Sequence, residues 1–206
     1  MPKYLVAGLF AVLFFAVYCQ EAQASAAYRA YAEQLAKEPP GTVVIRPDLE
    51  ALLDTLAQRT RVEKKRKQLT SSWQFKIAAR AQAIDMVLGD FVGHKSLKGH
   101  SFHARFAAFA ENPDRYPARG ENAARERSNG VPGEAKARRL FDQWLRSGGH
   151  RRILLNRSYN HVSSGVVQKG NHLYAVQIFW TENATSGAPQ SDACKLRLGG
   201  KCLGGG

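Results

Sequence analysis

Residues 144–165 determine the fold, because a helix, a break and the start of a hairpin follow one another here. Their sequence is Trp-Leu-Arg-Ser-Gly-Gly-His-Arg-Arg-Ile-Leu-Leu-Asn-Arg-Ser-Tyr-Asn-His-Val-Ser-Ser-Gly. An amphipathic helix leads into it, Gly148 and Gly149 break that helix, and His150 follows at once. A short apolar run, a turn with an asparagine and the entry to a β-hairpin come next. A histidine after a glycine break tends to line a surface cleft, so His150 is a candidate site residue. The alternative is that the glycines only end the helix and His150 is an incidental loop residue.

The segments on either side of this stretch predict a helix and a hairpin. Residues 134–146 carry an apolar stripe at helical spacing, formed by Ala137, Leu140, Phe141, Trp144 and Leu145. Residues 162–167 and 172–179 alternate around a Lys-Gly-Asn turn, which is the pattern of two paired strands. Residues 119–123 predict a further strand or strand edge.

Three earlier segments predict helices. The first is the alanine-rich segment 26–38, the second begins at Pro47, and the third follows a Thr-Ser-Ser sequence at residues 70–72 that can cap it. The buried face of the third is predicted to contain Ile77, Ala81, Ile84 and Leu88. Helices first and a hairpin last indicate an α+β fold, in which helices cover a small antiparallel sheet on both sides. Residues 42–45 are β-prone and are either an edge strand or linker.

The N-terminus resembles an export signal. Lys3 precedes an almost entirely apolar run from Tyr4 to Cys19, and Ala22-Gln23-Ala24 offers the small-x-small pattern of a signal-peptidase site. The run is short for a membrane span, although a retained anchor is an alternative. Lipid attachment at Cys19 is disfavoured by the bulky tyrosine before it. We therefore expect a secreted or periplasmic protein that begins near Ser25.

These observations divide the chain into four parts. They are a signal peptide (1–24), an N-terminal helix and linker (25–46), a main domain (47–180) and a Gly-rich tail (181–206). Export would leave Cys194 and Cys202 as a pair in an oxidising compartment, where they are expected to form a disulfide that closes a small loop. Two free thiols in the tail are the alternative.

The chain is strongly basic, with 30 Lys and Arg against 17 Asp and Glu and a formal net charge of +13. Such a charge favours polyanions, and for an exported protein anionic lipids or acidic cell-wall polymers are more available than nucleic acid. The densest basic run spans residues 59–67 and has no interleaved aromatic residues, which a single-strand nucleic-acid binder would need. We interpret this run as a solvated basic face.

Three segments together carry candidate chemistry. The first follows the third helix, reads His94-Lys-Ser-Leu-Lys-Gly-His-Ser101 and leads to Arg105. The second lies in a predicted strand and reads Gly120-Glu121-Asn122. The third closes the fourth helix and runs from Ser147 to Leu154. At these motifs the chain resembles the CAP superfamily of cysteine-rich secretory, antigen 5 and pathogenesis-related 1 proteins, in particular its bacterial SCP-like branch. The motifs occur in the family's order from about Leu49 to Phe179.

The resemblance implies an α-β-α sandwich with an exposed central cavity. It identifies His94, Glu121 and His150 as cavity residues, with His94 and His150 as ligands of a divalent metal, for which zinc is the candidate because several family members hold it. The residues that match in supporting positions are Ser96, Arg105, Asn122 and Ser147. Ser147 stands where animal and plant members have a second glutamate, which leaves the metal site incomplete.

Chemistry alone supports the same group of residues. Two imidazoles and a carboxylate can surround zinc, with water completing the shell, and without metal they can transfer protons. Together with the resemblance, which implies a lipid-like ligand, this leaves three hypotheses: a metal-organised binding module for a lipid-like or anionic ligand, a metal-assisted hydrolase of peptide or cell-envelope substrates, and a basic adhesion protein. The sequence contains no G-x-S-x-G, no H-E-x-x-H and no cysteine placed as a nucleophile, which counts against a conventional hydrolase.

Overall fold

A computed structural model describes residues 23–183 and the two short strands at 197–198 and 201–202. Most of the predicted signal peptide and Cys194 lie outside the described residues, so the signal peptide and the disulfide remain predictions. No helix in the described part of the chain is long and apolar enough to cross a membrane.

The described part of the chain contains helices and strands interspersed along the sequence. The helices are α1 (23–37), α2 (Pro47–Glu63), α3 (Lys76–Leu88), α4 (Phe102–Ala107), α5 (Glu134–Arg146) and α6 (Gly148–Leu154). The strands are β1 (Val43–Ile45), β2 (Thr70–Ser71), β3 (Arg119–Glu126), β4 (His161–Lys169), β5 (His172–Trp180), β6 (Arg197–Leu198) and β7 (Lys201–Cys202).

One five-stranded sheet forms the centre of the fold. Its order is β1-β4-β5-β3 with antiparallel neighbours, and β2 adds a two-residue parallel pairing to β4. The predicted hairpin is confirmed, and β1 settles the alternatives for residues 42–45 in favour of an edge strand. Because β1 and β2 pair with opposite ends of β4, the middle of that edge has no strand partner. There the Val166 amide donates to Glu50 Oε1 (3.3 Å) and its carbonyl accepts from the Arg46 amide (2.9 Å).

Each face of the sheet packs against its own helical layer. One core joins α1, α3 and α4 to the sheet through Tyr28, Ala32, Ile84, Phe106 and other buried residues. The second core joins α2, α5 and α6 through Leu53, Leu140, Trp144, Leu154 and others. The predicted α+β fold, an α-β-α sandwich, is therefore confirmed. Helix α1, predicted to lie in a separate N-terminal segment, contributes Tyr28 and Ala32 to the first core.

Gly165 permits the close approach of α3 to the sheet. A Cβ at this position would lie 2.4 Å from the Arg80 backbone nitrogen and 2.5 Å from the Ala79 carbonyl carbon. Neither backbone atom can move without moving the helix. Glycine is thus required at the point where α3 crosses β4.

Several local predictions differ from the structure. Gly148 and Gly149 do not begin a loop: the break falls at Ser147, whose ψ of 120° is extended, and α6 starts at once. Residues 70–71 form β2 and do not cap α3. Leu88, predicted to be buried, is 43% exposed because it lies in the last turn of α3.

The basic run is only partly a solvated face, because Arg61 is fully buried. Its guanidinium donates to the carbonyls of Leu154 (2.8 Å), Asn156 (2.8 Å), Lys67 (2.9 Å) and Tyr159 (3.2 Å). These carbonyls satisfy the charge without a carboxylate, and burial lowers the Arg61 pKa. The hydrogen bonds of Arg61 thereby connect α2 to the end of α6 and to the segment between α6 and β4.

Candidate functional site

The edge strand β3 presents neighbouring side chains to opposite layers of the sandwich, as a pleated strand must. Glu121 faces the layer of α3 and α4, where it contacts His94 and Arg105. Asn122 faces the other layer, where its Nδ2 donates to the His150 carbonyl (3.2 Å). The structure therefore joins Glu121 to His94 and Arg105 on one face of β3, and Asn122 to the backbone of His150 on the other.

Glu121 is the buried centre of this arrangement. Its Oε1 lies 2.8 Å from His94 Nδ1, and each carboxylate oxygen lies 2.8 Å from Arg105 Nη2. The Glu121 side chain is 1% exposed, whereas that of His94 is 53% exposed. An ionised carboxylate can only accept, so Nδ1 of His94 carries the hydrogen and Nε2 is left for a ligand. Glu121 is thus the acid partner of Arg105.

Two polar residues on the buried side of α3 position the loop that carries His94. Gln82 Nε2 donates to the carbonyls of Gly93 (2.8 Å) and Lys95 (3.0 Å). Asp85 Oδ2 accepts from the Leu97 amide (3.1 Å), and burial raises the Asp85 pKa. Sequence reasoning missed both residues. A polar side chain within an apolar helical stripe was the only signal available.

Ser96 and Ser101 complete this loop. Ser96 is buried and its hydroxyl accepts from the His100 amide (3.0 Å), while Ser101 caps α4 by accepting from the Ala104 amide (3.2 Å). Ser96 therefore supports the loop and does not reach Glu121 through any hydrogen bond of the described residues. Its position agrees with a supporting role.

Two tyrosines of helix α1 contact α3 and the loop that carries His94. The Tyr31 hydroxyl donates to Asp85 Oδ1 (2.6 Å), and the Tyr28 ring packs on the His100 ring with centroids 4.8 Å apart. Burial raises the pKa of both tyrosines, so both hydroxyls stay protonated. A cavity of about 300 Å³, lined by residues such as Tyr28, His100 and Ala104, lies beside this contact.

Arg105 is fully buried and makes all its side-chain hydrogen bonds through one nitrogen. Nη2 reaches Glu121 and the His94 carbonyl (3.3 Å). Within the described part of the chain, Nε, Nη1 and the Tyr28 hydroxyl have no hydrogen-bond partner.

His150 reaches the site from α6 and is half-buried. Burial lowers its pKa, and the nearby charge of His94 lowers it further, so the imidazole is neutral at pH 7. Its ring has no hydrogen-bond partner among the described residues, in contrast to that of His94. Ser147 forms the extended break before α6 and makes no side-chain cap.

The metal predicted at His94 and His150 would have few protein ligands. No group of three or more His, Cys, Asp or Glu side chains in the described ranges is arranged to hold a metal. Glu121 is engaged by His94 and Arg105, which leaves two imidazoles as protein ligands. A carboxylate that accepts from the far nitrogen of a histidine is nevertheless the usual partner of a metal-binding imidazole.

The fold and this edge site define an α-β-α sandwich domain with a histidine–glutamate pair. The model of the cysteine-rich secretory protein family, CAP, matches residues 56–183, and the chain belongs to this family. No curated protein matches the sequence. Helix α1 and strand β1 lie before the matched region.

Two solved structures show the same fold. An outer surface protein from Borrelia burgdorferi has a TM-score of 0.58 at 17% identity, covering 69% of this chain and 99% of that protein. An extracellular protein containing an SCP domain from Bacillus anthracis str. Ames has a TM-score of 0.53 at 19% identity, covering 68% of this chain. The match spans 45% of that second protein.

Proposed function

We propose that this CAP protein binds a divalent metal ion, and through it an anionic ligand, at His94 and His150. The observation that carries the proposal is the 2.8 Å contact between His94 Nδ1 and the buried Glu121 carboxylate. This bond fixes the tautomer and the orientation of the ring, and it makes Nε2 a better ligand. Arg105 in turn holds Glu121 in place.

His150 supplies the second nitrogen in the form a metal requires. Its lowered pKa keeps the imidazole neutral near pH 7, and only a neutral imidazole binds a metal. With two protein ligands, water or an anionic ligand completes the shell, and a bound zinc would supply positive charge to attract such a ligand. The site is therefore a binding site of moderate affinity.

The proposed setting is extracellular. The two relatives of known structure are an outer surface protein and an extracellular protein, and the apolar N-terminal run has the features of an export signal. An exported protein meets metal ions and anionic polymers directly. The lipid-like ligand implied by the family resemblance stays a prediction.

Metal-assisted hydrolysis of a peptide or cell-envelope substrate is the second candidate. The observation that favours hydrolysis is again the pair of an exposed imidazole and a buried carboxylate. With Nε2 free of metal, such a pair can act as a general base on water, whereas with a metal on Nε2 the ion itself would supply the activated water. The two candidates differ in turnover. Zinc binding without hydrolysis of peptide or cell-wall substrates supports the binding module.

Calorimetry with zinc tests the proposal on wild type and on His94→Ala, His150→Ala and Glu121→Gln. Each histidine variant should lose most of the affinity, because a site with two protein ligands cannot spare one. Glu121→Gln should lose about 10- to 100-fold, as expected for a residue that orients a ligating imidazole. Circular dichroism confirms that each variant is folded.

His172→Ala is the matched control, since His172 lies at the β4–β5 turn, away from the edge strand site. It should bind zinc like wild type. If His150→Ala binds as tightly as wild type while His100→Ala does not, the ligands have been assigned wrongly.

A further inference from the structure

A groove lined by arginines lies on the face where the end of α2 meets α6. The residues that line it are Arg66, Gly148, Arg151, Arg152, Leu155 and Asn156, and its volume is about 430 Å³. We call it the arginine groove. It joins the basic run of the sequence to α6, two segments that are more than eighty residues apart.

Backbone carbonyls hold two of these arginines in place. Arg66 Nε donates to the Leu155 carbonyl (3.1 Å), and Arg151 Nη1 donates to the Leu145 carbonyl (3.2 Å). Beneath them, buried Arg61 donates to the carbonyls on either side of Leu155. Each guanidinium has five N–H donors, so most donors of Arg66 and Arg151 remain available to a ligand. Two of the three arginines in the groove are thus held in place by the backbone.

The positive charge of the groove is not neutralised by the protein. Within the described part of the chain, no carboxylate lies within salt-bridge distance of Arg66, Arg151 or Arg152. On the neighbouring α5, by comparison, Arg138 pairs with Glu134. The charge of Arg66 is felt at Arg61, whose pKa it lowers in addition to burial. An anion would therefore meet several uncompensated guanidinium groups.

We infer that the arginine groove binds a phosphate group of an anionic ligand. Guanidinium forks match the oxygens of a phosphate and bind it in a bidentate manner, which a lysine cannot do. The groove can hold a phosphate with several attached atoms. A phospholipid head group and a soluble phosphorylated compound share this chemistry.

This inference is independent of the metal. Helix α6 carries His150 as well as Arg151 and Arg152, so the two sites are neighbours. His94 belongs to the opposite layer and has no contact with the groove residues in the described hydrogen bonds. His94→Ala therefore separates the two: it should abolish zinc binding and leave phosphate binding unchanged.

Calorimetric titration with inorganic pyrophosphate, in metal-free buffer at low salt, tests the groove. Arg152→Gln should weaken binding about tenfold, which corresponds to the loss of one charge-assisted contact. The Arg152 side chain makes no hydrogen bond within the described residues, so its replacement should not disturb α6. The double variant Arg151→Gln/Arg152→Gln should weaken binding further, and thermal unfolding shows whether it is folded.

Lys169→Gln is the control for charge alone, since it removes one positive charge from an exposed position at the opposite end of β4. It should change pyrophosphate affinity less than about twofold, because it lies far from the groove and salt screens distant charges. An equal loss in Lys169→Gln and Arg152→Gln, or no binding of pyrophosphate by wild type, would overturn the inference.

Sedimentation with vesicles then identifies the source of the phosphate. If the protein binds phosphatidylglycerol vesicles but not phosphatidylcholine vesicles, and pyrophosphate competes, the ligand is a lipid head group. If pyrophosphate binds and the vesicles do not, the ligand is a soluble phosphorylated compound. Both results support the groove, and the Arg152→Gln variant should be impaired in each.

Discussion

The two helical layers hold their histidines in opposite ways. His94 is fixed by a chain of buried contacts that runs from Arg105 and Glu121 to its ring. His150 is attached through its backbone, where the carbonyl accepts from Asn122, and its ring has no partner in the described part of the chain. One imidazole is therefore rigid and the other is free to adjust.

A rigid and an adjustable ligand suit a site that accepts variable ligands. In the proposed site the fixed ring would define a direction, and the free ring would move to complete the geometry that an ion and its ligand require. The position of His94 depends on a buried charge pair, so disruption of that pair should be costly. The position of His150 depends on one hydrogen bond to its backbone, whose loss should cost less. The predictions below test this difference.

The largest effect is expected from comparing two adjacent residues of β3. Glu121→Ala leaves the buried Arg105 charge unpaired and should lower the free energy of unfolding by about 3–5 kcal/mol. Asn122→Ala removes a single hydrogen bond in the other layer and should lower the free energy of unfolding by about 1–2 kcal/mol. Urea unfolding measures both. Equal losses would contradict the asymmetry between the layers.

Two glycines provide the next comparison. Gly165→Ala places a Cβ against the α3 backbone and should destabilise by about 1–3 kcal/mol. Gly149→Ala in α6 meets nothing within 4 Å and should stabilise by about 0.5–1 kcal/mol, because alanine favours the helix. Thermal unfolding under identical conditions should show midpoints that shift in opposite directions.

The hydrogen bond between α1 and Asp85 should contribute less to stability than the Glu121–Arg105 pair. Tyr31→Phe removes the hydroxyl that donates to Asp85 and should cost about 1 kcal/mol. Because Asp85 also holds the Leu97 amide, hydrogen exchange at Leu97 should accelerate and zinc affinity should fall. Tyr174→Phe, which removes a hydroxyl near Asp90, is the control and should leave Leu97 exchange unchanged.

The smallest effect concerns the titration of His150. Its folded-state pKa lies below the unfolded value of about 6.5, so the fold favours the neutral ring. This contribution to stability is present above about pH 6.5 and is lost as the pH falls through the folded-state pKa. NMR titration of the metal-free protein should place the His150 midpoint below the unfolded value. In His94→Ala that midpoint should rise only in part, since burial is the larger cause.

Periodic apolar patterns and turn residues in the sequence were enough to predict the fourth helix and the hairpin. The helix predicted at residues 134–146 is α5 (Glu134–Arg146), because its apolar stripe and the turn before it are both visible in sequence. The hairpin was predicted because its alternating strands and the turn between them are also visible in sequence. The meeting of His94 and Glu121 followed from the family motifs, since their separation of 27 positions has no local signature.

What sequence reasoning missed depends on distant partners. Arg61 looked like one of several surface charges, because the carbonyls that satisfy it belong to residues 67 and 154–159. Asp85 and Tyr31 lie 54 positions apart and gave no sign of pairing. The start of α6 was misjudged because a glycine pair often ends a helix, whereas here the extended backbone of Ser147 makes the break.

The covered middle of β4 has a consequence for the protein at high concentration. A strand edge with free N–H and C=O groups can act as a template for a second chain, and edge-to-edge aggregation begins in this way. At Val166 both groups are already bonded, to Glu50 and to the Arg46 amide. Glu50 is held by Arg80 as well, so an incoming strand would have to displace a buried ion pair. The short strands β1 and β2 thus leave a gap that the carboxylate of α2 closes against self-association.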